Sequence, residues 1–235
     1  MGSEGVVKND QGGSEGYGLT QLDIVKHSVL TIIHNLKDQD QLSIIVYNIK
    51  ASVLLESVNM TEEGKIMATQ KLKNLSPYGS TNIWAGLYTA LEILRNSPGS
   101  LRNSSIFLLT DGKANIIPPI GHIPMLKNYC DKYKNIPTIN TFGFGYDLDS
   151  ELLTQLSNDS GGYYSFIADS SLVGTIFINA LSNFLTTVAF NVTLMVEPLN
   201  DIELLQDNDT YSELLKVINI GSITNGQSRD IVIPS

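Results

Sequence analysis

The sequence predicts an α/β fold, a doubly wound and mostly parallel sheet with helices on both faces. Three observations carry this. Short β-branched runs occur of the kind that parallel sheets bury on both sides, stretches of helical apolar period lie between them, and the two alternate from about residue 20 to residue 190. At 235 residues the chain has room for one such domain, with a few dozen residues left for part of something else.

Residues 1–19 are rich in Gly, Ser and Glu without an apolar period and read as a flexible loop. From Leu22 the pattern changes: Leu22, Val25, Val29, Ile32, Ile33 and Leu36 mark an amphipathic helix over about 20–36. Gln41 to Tyr47 is a strand suited to burial on both faces, and Ala51 to Leu55 an adjoining strand across a short turn. Helices follow over about 61–75 and 83–95, then a strand at Ser105 to Thr110. A helix near 123–133, a strand at 138–144, a helix at 149–157, a short strand at 163–167 and a helix over about 171–188 complete the domain, which spans 20–190. In residues 191–235 the run Val192 to Glu197 alternates, and 214–220 and 229–233 look like further strands. So short a segment cannot bury a sandwich core, so it reads as a partial β-sandwich.

Composition narrows the function. With 42% hydrophobic and 17% charged residues the chain leaves little room for extended disorder. A net charge of -9 argues against nucleic acid or anionic lipid as partner, because neutralising phosphates takes clustered Lys and Arg. No run of eighteen apolar residues suggests a membrane span, and Met1 to Gly5 do not form the apolar core of a secretory signal. Cys130 is the only cysteine, which removes an intramolecular disulfide and a cysteine-based zinc site and leans towards a reducing, cytoplasmic compartment. His27 and His34 lie seven apart and His122 reads as a loop residue, with no His-Glu-x-x-His pattern for zinc. The glycines around Phe144 and at Gly161-Gly162 do not form a dinucleotide cradle, and no Gly-x-Ser-x-Gly elbow or Gly-Lys-Ser/Thr occurs, so an enzyme is not expected.

In an open parallel sheet the ligand site lies at the carboxyl ends of the strands. Two loops stand out there. In Tyr78-Gly-Ser-Thr-Asn-Ile-Trp-Ala-Gly86, Thr81 and Asn82 stand where a helix is capped. In Leu108-Leu-Thr-Asp-Gly112 an apolar strand ends abruptly on Asp111 and Gly112. Both loops resemble the von Willebrand factor A family, whose pattern reads Gly-x-Thr-Asn-x-x-x-Gly-Leu and, later, an apolar strand followed by Thr-Asp-Gly. The resemblance runs from Leu22-Asp-Ile-Val-Lys26 through Phe142-Gly-Phe-Gly-Tyr146 to Gly161-Gly-Tyr-Tyr164.

The resemblance implies a protein-binding module with a metal-ion-dependent adhesion site. In the family, Mg²⁺ is held by Asp-x-Ser-x-Ser after the first strand, by a Thr matching Thr81 and by an Asp matching Asp111. Hydroxyls and few carboxylates leave the ion electrophilic enough to accept an Asp or Glu from a protein partner. Around it Ser80, Asn82, Trp84 and Gly112 would form the partner-binding rim, Trp84 being either a core anchor or an exposed contact residue. The departure is that no apolar strand ending in Asp-x-Ser-x-Ser precedes the first helix. Either Asp10-Gln-Gly-Gly-Ser14 replaces it, with Gly12 where a ligating Ser belongs, or the chain begins just after that strand and motif; the second is favoured because the sequence opens in a glycine-rich loop. The site would then be incomplete and Mg²⁺ binding by this chain alone weak. The strands at 42–47 and 105–110 would be left with unpaired edges or forced to pair with each other. A structural module without metal is the alternative, and a nucleotide-dependent enzyme on a similar sheet the least favoured reading.

Overall fold

The computed structural model describes residues 4–8, 14–77, 79–97, 103–133, 136–168, 172–197, 204–206, 210–212 and 216–232. Strands β1 (Glu4–Lys8) and β2 (Ser14–Thr20) pair antiparallel, with Val6 opposite Gly16. Much of the stretch expected to be a loop is therefore a two-stranded ribbon. Main-chain pairing needs no apolar alternation, which is why composition hid it. Helix α1 (Gln21–Asn35) begins at Thr20, whose hydroxyl accepts the Asp23 N–H at 3.2 Å while the Asp23 carboxylate accepts the Thr20 N–H at 3.0 Å. The Thr20 hydroxyl also donates to the Asp23 carboxylate at 2.7 Å, and this bond, with that from the Thr20 N–H, holds the Asp23 carboxyl below the usual carboxylate range.

Strands β3 (Gln41–Tyr47) and β4 (Ala51–Asn59) form an antiparallel pair, Gln41 opposite Asn59 and Tyr47 opposite Ala51. Helix α2 (Glu62–Lys73) follows, capped by the Thr61 hydroxyl. The Lys26 ammonium of α1 donates to the carbonyls of Lys73 and Leu75 at 3.2 and 2.6 Å, placing a cation on the negative end of α2. Next come α3 (Ile83–Asn96), β5 (Ser105–Thr110), α4 (His122–Lys132), β6 (Thr138–Phe144), α5 (Ser150–Asn158), β7 (Tyr164–Ile167) and α6 (Val173–Thr186). Strands β5, β6 and β7 are parallel in that order, Leu109 opposite Phe142 and Phe142 opposite Ser165.

All seven residues of β6 are buried, as in a strand covered on both faces, and its polar side chains Thr138, Asn140 and Thr141 are hydrogen-bonded. One cover is α1 with α6: Ile24, Val25, Ile32 and Phe177 pack on Phe142 and Phe144, and the rings of Phe142 and Phe177 stack at 4.5 Å. The other is α3, α4 and α5, through Ile83, Leu87, Leu126 and Leu153 on Ile106, Leu108 and Ile139. Leu42 and Val58 reach the first core, Ile45 and Tyr47 the second. The β3–β4 pair thus lies between the same two helical layers as the parallel sheet, yet no ladder among the described residues joins β3 to β5. Of the two outcomes expected for these strands, pairing with each other does not occur. A side chain spans the boundary instead: the Tyr47 hydroxyl donates to the Leu109 carbonyl at 2.8 Å. Residues 42–47 stay partly accessible, in contrast to β6.

The chain divides into two compact units, Met1–Leu181 and Ser182–Ser235, a boundary inside α6 and earlier than the change of pattern at residue 190. In the second unit β8 (Thr187–Val196), β9 (Leu204–Gln206), β10 (Thr210–Ser212) and β11 (Lys216–Thr224) form two antiparallel pairs, β8 with β11 and β9 with β10. The strand expected at 229–233 is not formed over its described residues, 229–232. A turn at Asn225 and Gly226 follows β11, and the Arg229 guanidinium donates to the Ser222 carbonyl at 3.4 Å, so the side chain rather than a ladder holds this segment. Among the described residues no helix is long and apolar enough to cross a membrane.

Candidate metal and partner-binding site

The two loops singled out by sequence meet at the carboxyl ends of β3 and β5. Strand β5 ends on buried Thr110, whose hydroxyl donates to the Gly112 carbonyl at 3.0 Å and accepts the Gly112 N–H at 3.4 Å. This tight turn presents half-buried Asp111 at the strand end. On the other loop Asn82 caps α3, its side-chain oxygen accepting the Ala85 N–H at 3.0 Å. Its Nδ2 donates to the Ile49 carbonyl at 3.0 Å and its N–H to the Asn48 carbonyl at 2.8 Å, which pins the start of α3 to the turn between β3 and β4. Gly86, one turn on, lets α3 lie against Tyr47, where a Cβ would come within 2.7 Å of the ring.

Thr81 is held by a reciprocal pair of bonds. Its N–H donates to Asn115 Oδ1 at 2.8 Å, and the Asn115 N–H donates to its carbonyl at 3.2 Å. A Cβ built on Gly112 would lie 3.8 Å from the Thr81 hydroxyl, so Thr81 and the Asp111-Gly112 turn converge on one place. Half-buried Ser80 adjoins them. Trp84 is half-buried against the α3–α4–α5 core with its ring 6.1 Å from that of Tyr88. Asp10 lies outside the described residues, and Ser14 is described only as the first residue of β2. Sequence reasoning missed Asn115, Asn48 and Tyr47, which brace the site: no spacing rule marks an Asn inside an irregular loop.

Two groups of this unit, Tyr47 beside the site and His122 on α4, have perturbed protonation. Burial pushes the Tyr47 hydroxyl above the usual phenol range; the Asp111 charge adds to this and a hydrogen bond to Thr110 opposes it. His122, expected in a loop, is the first residue of α4 and is buried, with no hydrogen-bond partner for Nε2. Burial lowers its pKa, and the charge of Asp149 works in the other direction.

The Thr81 hydroxyl and the Asp111 carboxylate are both hard oxygens of the kind Mg²⁺ takes. Among the described residues no group of three or more His, Cys, Asp or Glu could hold a metal. Two such oxygens would fill part of the near-octahedral shell that Mg²⁺ requires.

The two loops stand together at the carboxyl rim of an α/β sheet, where ligands bind in folds of this kind. The von Willebrand factor type A domain pattern matches residues 13–166, and the chain belongs to that family. Members of the family are generally non-enzymatic protein-interaction modules with an adhesion-type metal site. The chain is 25% identical over 181 residues to protein YfbK of Escherichia coli, covering 75% of this chain and 30% of that protein. It is 30% identical over 141 residues to inter-alpha-trypsin inhibitor heavy chain H2 of Sus scrofa, covering 56% and 15%. It thus spans about a third or less of the curated relatives it matches. Among solved structures, a von Willebrand factor type A protein from Catenulispora acidiphila superposes with a TM-score of 0.69 at 16% identity, over 87% of this chain and 51% of that one. Proximal thread matrix protein 1 of the mussel byssus, in a form with a zinc-occupied metal-ion-dependent adhesion site, superposes with a TM-score of 0.57 at 16% identity, over 74% and 44%.

Proposed function

We propose that the chain is a protein-binding module whose docking face is the rim of Ser80, Thr81, Asn82 and Gly112 around Asp111, and that a divalent cation, Mg²⁺ by the hardness of the donors, links the rim to a carboxylate of the partner once further oxygen ligands are supplied. The carrying observation is the approach of the Thr81 hydroxyl to Gly112, with Asn115 holding Thr81 in place. A hydroxyl and a single carboxylate leave most of the cation's charge uncancelled, which suits capture of an acidic side chain. Zinc in the corresponding motif of the mussel protein supports a divalent ion of some kind here.

The test is a calorimetric titration of Mg²⁺ and Mn²⁺ into this chain and into one extended ahead of residue 1 by an apolar strand ending in Asp-x-Ser-x-Ser. The extended chain should bind metal and lose it on Thr81→Ala or Asp111→Ala. Metal affinity unchanged in both variants would remove the rim from the mechanism. Binding by the unextended chain would assign the remaining ligands to its own residues, Asp10 and Ser14 first. Partner capture that survives chelator would instead support the metal-independent reading.

A further inference from the structure

The loop that leaves β6 carries a feature that the metal site does not use. Gly145, at φ +79°, turns the chain, and its N–H donates to the Ile167 carbonyl at 3.2 Å, tying the ends of β6 and β7 together. The turn projects Tyr146 into solvent at 78% exposure, against Phe166 of β7, itself 41% exposed. The two rings meet edge to face, 5.6 Å between centroids at 62°. An aromatic pair so exposed is outside the core and keeps ring surface open to a ligand. Beside it residues 145–151 carry Asp147, Asp149 and Glu151 and no Lys or Arg. The cation that meets this stretch comes from another loop: Lys113, whose ammonium lies 3.2 Å from Asp147, both side chains well exposed at 63% and 84%.

We infer that Tyr146, Phe166 and Asp147 form a platform for an arginine of an extended basic segment in a partner protein. The guanidinium stacks on the Tyr146 ring and takes Asp147 as its counter-ion, displacing Lys113. The physical case is complementarity. Arg stacks on aromatic faces and offers a planar fork that matches a carboxylate, whereas the Lys113 ammonium is a point charge in an exposed, weakly held pair. The chain's net charge of -9 draws such a segment in, and the ring pair gives it one place to settle. This platform recognises a cation without metal and stands apart from the reading of Thr81 and Asp111.

The probe is a blocked hexapeptide of alternating Arg and Gly, titrated in EDTA into isotopically labelled chain and followed by amide shifts. Shifts should cluster at 145–148 and 166, and Tyr146→Ala should weaken binding about three-fold. Asp147→Asn should weaken it further, and the Lys-Gly counterpart should bind less well than the Arg peptide. Lys113→Ala should tighten binding, while Lys37→Ala, an equal change in net charge elsewhere on the surface, should leave it unchanged. Equal binding by wild type and Tyr146→Ala, or shifts scattered over the acidic surface, would overturn the inference. Because the measurement excludes metal, Thr81→Ala should not affect it, so failure here leaves the metal-site reading standing and the reverse also holds.

Discussion

Removing one oxygen at Tyr47 tests how the two sheets are joined. Its hydroxyl donates to the Leu109 carbonyl where no ladder among the described residues joins β3 to β5. Tyr47→Phe keeps the ring against Gly86 and deletes the donor. The bond itself contributes about 0.5–1.5 kcal/mol, and a carbonyl left without its partner in a largely buried place costs about 1–3 kcal/mol more. A loss of about 2 kcal/mol is expected, or roughly 5 °C in melting temperature for a unit of this size. The protonation state supplies a second signature. The folded phenol titrates above its unfolded counterpart, so the folded state binds more protons once pH passes the unfolded value near 10. Its contribution is complete below that pH and is lost above it, by up to about 1.4 kcal/mol per pH unit. Urea denaturation followed by circular dichroism at pH 7 and pH 11 should therefore show wild type well ahead of Tyr47→Phe at neutrality and the gap narrowed in alkali. Equal stability at pH 7 with parallel alkaline profiles would refute the bridge. Tyr129 and Tyr163, whose pKa values are raised to about 12, titrate in both proteins and cancel in the difference.

Asn82→Ala should cost about 1–2 kcal/mol in thermal or urea melts, since it removes the α3 cap and the bond to the Ile49 carbonyl together. Gly162→Ala should cost about 3 kcal/mol or prevent folding, because a Cβ there would lie 2.1 Å from the Ile139 carbonyl, a main-chain atom that cannot move aside; solubility and melting temperature report it. The neutral form of His122 is favoured in the folded state, so its contribution is present above the unfolded value near 6.5 and is lost as pH falls below it. His122→Gln should flatten the stability profile between pH 7 and pH 5, and an unchanged profile would mean that His122 titrates alike in the folded and unfolded states.

The helices and the strands of the parallel sheet were legible in the sequence because their signals are local. The helix starts expected near residues 20, 61 and 149 and the cap expected at Asn82 are where the structure has them, and the side chains of Thr20, Thr61, Asn82 and Asp149 each accept an N–H of the first turn. Thr138 to Phe144 reads as a strand and is one, buried throughout, whereas the burial on both faces expected of 41–47 is only partial. What stayed hidden depends on pairing across space. The β1–β2 ribbon is held by main-chain bonds among residues with no apolar alternation, and the strand expected at 229–233 has the composition of a strand without a partner for its described residues. Thr81 and Asp111 stood out because their types and order carry chemistry; Asn115 and Tyr47 hold that chemistry in place through contacts 34 and 62 residues apart in sequence.

Trp84 is the sole tryptophan of the chain, and it lies in the first turn of α3, three residues after Thr81 and half-buried beside Tyr88. Its indole emission is therefore a built-in reporter placed next to the rim. The wavelength of the indole band reads how much water reaches the start of α3, where the Trp84 and Tyr88 rings lie 6.1 Å apart. Any ion or partner that tightens the Thr81 loop should reach that single fluorophore, without a label and without a second tryptophan to dilute the signal.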